Sequence, residues 1–318
     1  MNLFDGDDSD FEATIGQLTA PDAGARRVAL LSLADTGIPE GEPYAISALT
    51  DPDAGVREAA ALALEAYSGR PVVAALVDAL EDLTPAVRTA AAESLAVQKP
   101  PEGNDLLVAR VGHSSPEVRA AVLRALVERR VPEALQPALA ALHDPVVEVR
   151  RVAATVLGWL HDPAAAPGLI EAGRDPDAEL RRIAVGALVF DRANSAAINS
   201  IIITTADPIW QVRETAAEAL GKIGQVAGSD ALIAAMADDY WQVRVQAARA
   251  LGRIGARDAV PVLGAALNHP LSNLRREAAS ALGTIGDSAA RPFLLAHQDD
   301  PDPDVRKLVR WALSVITP

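Results

Sequence analysis

The chain has 318 residues, a formal net charge of −14 and no cysteine; half of its residues are hydrophobic, but only 3% are aromatic. The lack of cysteine excludes disulfides, thiolate metal sites and a cysteine nucleophile. The negative charge opposes general binding to nucleic acid or to anionic membranes. No apolar run approaches the ~20 residues that a membrane span needs, so we expect a cytoplasmic protein.

The N-terminal residues, "MNLFDGDDSD", are acidic. They resemble neither a secretory signal nor an arginine-rich transit peptide. We predict that residues 1–10 form a disordered acidic segment and that residues 11–318 form a single domain.

A repeat of 31 residues follows and covers nearly the whole remaining chain. Ten arginines, which we call the arginine marks, recur at eight intervals of 31 residues and one of 32: Arg26, Arg57, Arg88, Arg119, Arg150, Arg181, Arg213, Arg244, Arg275 and Arg306. A leucine stands seven residues after every mark. Such a register predicts a tandem array of ten units rather than ordinary globular domains.

Each unit contains two helical stretches, a short helix A and a longer helix B that carries the mark. In the ninth unit, Leu274, Ala278, Leu282 and Ile285 fall on one helical face, and Gly286 follows as a stop signal. Aspartate stands six residues before the mark in seven units, and a helix-capping residue often stands four before it. These features predict an A–B turn with a conserved geometry within the array.

The consensus "D-P-x-x-x-V-R-x-x-A-A-x-x-L-G-x-I-G" resembles the HEAT repeat, in the short form of the phycobilin-lyase-like subfamily. The resemblance covers residues 11–318 and implies an all-α fold, a right-handed α-α superhelical solenoid of ten HEAT-like repeats. It also implies that turn aspartates and mark arginines of successive repeats hydrogen-bond in a ladder, a role we assign to the ten marks. In such solenoids the B helices line the concave side.

The concave face presents the positions three before and one, five and eight after each mark. Arg124, Arg151 and Arg182 occupy such positions in consecutive repeats and predict a basic strip. The alternative is an ordinary solvated helix face. Farther along helix B, Trp159 and Phe190 both stand nine residues after their marks. They are candidate partner contacts, and packing between repeats is the alternative interpretation.

The one 32-residue interval ends in "IWQVR", and the next unit repeats this as "YWQVR". We expect the extra residue to cause a local bulge or a shifted A helix, without breaking the stack. Trp210 and Trp241 replace small residues three before the mark, and apolar residues replace the cap beside them. We predict that Trp210, Trp241, Tyr240 and Arg249 form the main partner-binding site. Alternatively, the indoles seal the stack.

The sequence offers no catalytic constellation. It lacks GxGxxG, P-loop and GxSxG motifs, and its five histidines show no metal-ligand spacing. We therefore expect a monomeric, non-enzymatic scaffold without cofactor or metal that binds a protein or peptide in its groove. A tetrapyrrole lyase or chaperone is one alternative, and a DNA-binding HEAT protein, which the acidic charge opposes, is another. Arg310, charged where other units are apolar, suggests a terminal repeat.

Overall fold

The structure is a computed structural model, and it describes residues 5–98, 101–127 and 129–317. Within these ranges, every regular element is helical, as the sequence predicts. The chain divides into two compact units, residues 1–160 and 161–318, and each is a stack of A and B helices. The predicted all-α solenoid of paired helices is thereby confirmed within each of them.

The first unit holds five helix pairs in its described residues. Its A helices are α1 (Asp5–Gln17), α3 (Glu42–Ala48), α5 (Arg70–Ala79), α7 (Asn104–Arg110) and α9 (Leu135–Ala141). Its B helices are α2 (Ala23–Thr36), α4 (Ala54–Ala63), α6 (Pro85–Val97), α8 (Pro116–Leu126) and α10 (Val147–Leu160).

The second unit holds five more pairs in the part of the chain that is described. Its A helices are α11 (Ala166–Ala172), α13 (Ser195–Thr204), α15 (Ser229–Ala235), α17 (Val260–Ala266) and α19 (Arg291–Leu295). Its B helices are α12 (Ala178–Ala187), α14 (Trp210–Ile223), α16 (Trp241–Ile254), α18 (Ser272–Ile285) and α20 (Pro303–Val315).

The leucine seven residues after each mark builds the core. Nine of the ten are almost wholly buried, from Leu33 to Leu282, while Leu313 in α20 is only half-buried. Small residues three after the mark, such as Ala60 and Ala247, are also buried. The apolar stripe of helix B therefore faces inward in the register that the sequence predicts.

Helix termini follow the predicted capping pattern with one exception. The side chains of five residues accept hydrogen bonds from backbone N–H groups at the start of their B helices: Asp22, Asp53, Ser115, Asp177 and Asp302. Thr84 does not cap α6; its hydroxyl accepts from Nη2 of Arg57 instead. Gly224, Gly255 and Gly286 end their helices with φ of 78°, 68° and 69°, where glycine avoids the strain of a side chain.

Two expectations concern individual segments. Residues 5–10 form the first turns of α1, while residues 1–4 lie outside the described residues, so the proposed boundary at residue 10 stays a prediction. In the 32-residue interval, α13 has ten residues and begins at an Asn194 cap. Its neighbours α11 and α15 have seven residues and continue directly from a 3₁₀ turn, so the A helix of this interval differs from both.

The B helices of the second unit pack very closely. A Cβ atom on Gly252 would lie 2.8 Å from the Cα atom of Ala281, and one on Gly221 would lie 2.9 Å from the Cβ atom of Ala250. Each of these glycines stands eight residues after its mark and meets an alanine of the next helix. Backbone approach at this distance is possible only without a side chain.

Candidate functional site: the A–B turns and the B-helix face

An arginine mark can hold two successive turns, as Arg213 shows. Its Nη1 donates to the backbone carbonyls of Asp207 and Pro208 at 2.8 and 3.2 Å, in the turn before its own helix. Its Nε and Nη2 donate to the carboxylate of Asp238 at 2.6 and 2.8 Å, in the next turn. One planar guanidinium therefore fixes the register between neighbouring repeats.

We call such bidentate contacts rungs, and six of them are Arg26–Asp51, Arg57–Asp82, Arg119–Asp144, Arg181–Asp207, Arg213–Asp238 and Arg275–Asp300. In each, the aspartate also accepts the backbone N–H of the residue two positions on, as Asp238 does from Tyr240 at 2.9 Å. The ladder implied by the family resemblance is present at these six marks.

The rungs lower the pKa of their aspartates. At Asp51, Asp82 and Asp300, the hydrogen bond from the arginine is the main cause. At Asp144, Asp207 and Asp238, burial raises the pKa, but the hydrogen bonds and the charge of the arginines outweigh it. These carboxylates are structural anions that stay ionised, not acids poised for proton transfer.

Histidine replaces the turn aspartate at two marks, which corrects the assignment of all ten arginines to the ladder. Nδ1 of His269 accepts the backbone N–H of Leu271 at 3.0 Å, and its Nε2 lies 3.5 Å from Nη2 of Arg244. The imidazole thus copies the aspartate's bond to the backbone but brings no carboxylate to the arginine. Nε of Arg244 is buried without a hydrogen-bond partner in the described part of the chain.

Ile209, Trp210, Tyr240 and Trp241, which we call the aromatic patch, lie at the N-termini of α14 and α16. The Trp210 and Tyr240 rings stack with centroids 5.5 Å apart and planes 15° apart. The Arg213 guanidinium lies 5.7 Å from the centroid of the Tyr240 ring. Trp210 is half-buried, whereas Tyr240 and Trp241 remain 46% and 43% exposed. The patch therefore presents aromatic surface to solvent on a rigid base.

Arg249, predicted to complete this site, lies two turns along α16 from Trp241. Its Nε and Nη2 donate to the carboxylate of Glu277 at 3.2 and 2.5 Å, so its guanidinium is already paired across to α18. A ligand beside Trp241 would meet a neutralised pair at this place rather than a bare cation.

The predicted basic strip is neutralised in the same way. Arg124 pairs with Glu148, and Arg182 binds Glu179 at 2.8 and 2.6 Å. Both glutamates stand two residues before a mark, outside the concave-face positions that define the basic strip. Arg151 lies half-buried on α10, where its backbone carbonyl accepts from the Thr155 hydroxyl at 3.0 Å.

Trp159 and Phe190 belong to different units, and each contacts a cation or potential cation. The Arg130 guanidinium lies 5.8 Å from the centroid of Trp159, whose side chain is partly exposed at the end of α10. The rings of Phe190 and His161 have centroids 6.1 Å apart. These contacts at the ends of B helices suit local packing.

Sequence reasoning missed a groove on the B helices of the first unit. It has a volume of about 570 Å³ and lies over α6, α8 and the start of α10. Alanines form much of its wall, and Arg88 and Arg124 line it together with three glutamates. The sequence did contain a sign of this groove, since small residues stand at concave-face positions in two successive repeats.

The described residues contain no group of histidine, aspartate and glutamate side chains that could hold a metal ion. Within the same residues, no helix is long and apolar enough to cross a membrane.

Comparisons with known proteins give the family. The model for HEAT repeats matches residues 12–96, 104–189, 166–242 and 229–314, whereas no curated protein matches. An engineered protein of known structure is 21% identical, with a TM-score of 0.56 over 96% of this chain and 98% of that one. Importin beta is 17% identical, with a TM-score of 0.64 over 96% of this chain and 50% of its own. Karyopherin Kap121p, bound to the extreme C-terminus of the protein phosphatase Cdc14p, is 15% identical, with a TM-score of 0.65 over 98% of this chain and 42% of its own.

At these identities the structures share the fold alone, and this chain spans half or less of the importin and karyopherin chains. The phycobilin-lyase-like subtype stays a prediction. The family model for HEAT repeats matches most of the chain, and the turns carry the ladder expected of such repeats. The chain therefore belongs to the HEAT-repeat family.

Proposed function

We propose that the protein is a non-enzymatic scaffold that binds a segment of a partner protein, with the aromatic patch as its main contact. The observation that carries this proposal is the exposure of Ile209, Tyr240 and Trp241, each 40–46%, side by side with a stacked Trp210. In several other repeats, a residue that can cap the B helix stands at the position of Ile209 and Tyr240. Tryptophan and tyrosine on a rigid base are the residues that most often dominate interface energy.

Fold neighbours support the same class of function. The solved structures of Kap121p include complexes with Ste12p, with Nup53p and with the extreme C-terminus of Cdc14p, so a similar solenoid binds other proteins in those cases. The tetrapyrrole alternative needs arginines available for propionates, and Arg124 and Arg182 are already paired with glutamates. The net charge of −14 opposes the DNA-binding alternative.

The test compares immobilised wild-type protein with the double variant Trp210→Ala, Trp241→Ala in retaining proteins from a lysate of the source cells. Trp311→Ala is the matched control, because Trp311 lies on α20 of the same unit and is 41% exposed outside the patch. The double variant should lose proteins that both wild type and control retain, and its Tm should change little. A double variant that keeps its partner but melts many degrees lower would show that the indoles seal the stack.

A further inference from the structure

The groove of the first unit has an apolar floor and a charged end. The wall that α6 and α8 supply consists largely of small or rigid apolar residues: Pro85, Ala92, Ala96, Pro116, Ala120 and Ala121. Alanines leave room that larger residues would fill, and the two prolines mark the first turns of the two helices. A cavity of about 570 Å³ admits a few side chains of another molecule.

Arg88 lies near the N-terminal end of this groove and is an arginine mark without a rung. Its Nη1 donates to the carbonyls of Asp82 and Leu83 at 2.8 and 3.2 Å, as in every neighbouring mark. In the marks on either side, Arg57 and Arg119, the Nε and Nη2 atoms bind an aspartate of the next turn. The corresponding residue for Arg88 is His113.

His113 cannot replace that aspartate as an anion. Its Nδ1 accepts the backbone N–H of Ser115 at 3.1 Å, so the neutral ring carries its proton on Nε2. Nε2 lies 3.3 Å from a carboxylate oxygen of Glu81. The ring therefore brings no anion to Arg88, and no carboxylate of the described residues hydrogen-bonds to Arg88.

The acidic residues of the groove compensate Arg88 only at a distance. Glu148 is paired with Arg124. Glu117 accepts a hydrogen bond from the Ser115 hydroxyl at 2.5 Å, which lowers its pKa, and the nearby charge of Arg88 lowers it further. Glu93 stands five residues farther along α6, about 7.5 Å along the axis at 1.5 Å per residue. The Nε and Nη2 atoms of Arg88 are thus available to a carboxylate of another molecule, for which the carboxylate of Glu117 is a competitor.

We propose that this groove binds a segment of a partner protein in which an acidic side chain stands beside a medium-sized apolar residue. The carboxylate takes the place of the missing rung on Arg88, and the apolar side chain lies on the alanine floor. The positive ends of α6 and α8 meet the same end of the groove and favour an anion there. Two parallel N–H···O bonds to a part-buried guanidinium select a carboxylate over an amide.

The proposal does not rest on the aromatic patch, because every residue that carries it lies in the first unit. Its failure would leave the patch proposal untouched, and loss of partner capture by the tryptophan variant would leave this one untouched.

The probe for the test is the blocked dipeptide acetyl-leucyl-aspartate amide, compared with acetyl-leucyl-asparagine amide. NMR titration of the full-length protein follows the Arg88 Nε–H signal and the methyl groups of Ala120 and Ala121. The aspartate probe should shift these signals saturably, with a Kd on the order of a millimolar for so small a ligand. The asparagine probe should bind about tenfold more weakly or not at all.

Three variants sharpen the test. His113→Asp should give Arg88 an internal rung, abolish binding of the aspartate probe and leave the Tm unchanged or raised. His269→Asp makes the same change at the turn histidine that faces Arg244 and should leave probe binding as in the wild type. Glu117→Gln should tighten binding a few-fold by removing the competing carboxylate. Equal binding of the two probes, undiminished binding to His113→Asp, or no saturable shift with the aspartate probe would overturn the proposal.

Discussion

The guanidinium of Arg275 and the carboxylate of Asp300 form a bidentate pair at 2.8 and 2.9 Å, with side chains only 11% and 3% exposed. Arg70 and Asp105 also form a bidentate pair, through Nη1 and Nη2 at 2.6 and 2.9 Å, but with side chains 56% and 64% exposed. The two pairs contain the same charged groups in different surroundings, so comparing them tests the effect of burial.

Asp300→Ala should lower the free energy of unfolding by about 3 kcal/mol, because it leaves the buried fork of Arg275 without an anion. It also removes the acceptor for the backbone N–H of Asp302. Asp105→Ala should cost much less, since solvent replaces the lost partner at Arg70. Urea denaturation of both variants measures the difference. Similar losses would mean that burial does not determine how much a rung stabilises the protein.

Acid should destabilise the protein through its rungs. The six rung aspartates have a lowered pKa in the folded state: Asp51, Asp82, Asp144, Asp207, Asp238 and Asp300. Above the ordinary aspartate pKa of about 3.9, both folded and unfolded states are ionised and the stabilisation is complete. As the pH falls through 3.9, the unfolded state takes up protons first, so stability declines until the lowered folded pKa is passed.

Urea midpoints measured between pH 7 and pH 3 follow this loss. Asp300→Asn should start less stable at pH 7 and lose less on acidification, because it contributes one fewer titrating rung. A wild-type midpoint that holds constant down to pH 3 would contradict the assigned role of the rungs.

Leu251→Ala should lower the free energy of unfolding by about 2–5 kcal/mol, because Leu251 is fully buried and the change leaves a cavity. Leu313→Ala is the matched control: the same substitution at the same repeat position, where the leucine is half-buried. Its cost should be clearly smaller. Chemical denaturation of the two variants tests the assignment, and a larger loss at Leu313 would place the core elsewhere.

Gly252→Ala should destabilise the second unit by about 1–3 kcal/mol, because its methyl group would press against the backbone of Ala281. Gly16→Ala is the control, since a Cβ atom on this helical residue would meet nothing within 4 Å. Alanine is the better helix former, so this variant should be neutral or slightly stabilised. Thermal unfolding of both variants gives the sign, and a Gly252→Ala protein as stable as the wild type would show that α16 and α18 move apart easily.

The fold could be predicted from the sequence because repeat periodicity is a local signal that recurs. Once the arginine marks are aligned, the positions of Leu251 and Ala247 follow from 3.6 residues per turn, and the structure buries both. The capping role of Asp53 follows equally from its place in the turn. These features depend on the chain's own backbone, which a sequence pattern reports directly.

The partners of charged side chains could not be predicted in the same way. Arg249 meets Glu277 and Arg124 meets Glu148 across neighbouring helices, and such pairs depend on helix spacing and side-chain rotamers. A pattern of basic residues on one helix face does not reveal the glutamates that a neighbouring helix brings to them. The groove beside Arg88 could not be predicted for a related reason, since its wall is formed by alanines of two helices that only packing brings together.

A mark that binds its own turn and the next one joins neighbouring repeats in the same way along the array. Arg244 holds the turn before it and faces the next, so deletion of residues 245–275 would join equivalent points of two B helices. The shortened chain would bring Arg244 opposite Asp300, a carboxylate in place of His269. Proteins of this design change length by gain or loss of whole modules, and a surface such as the aromatic patch can be carried along the array without redesign of its scaffold.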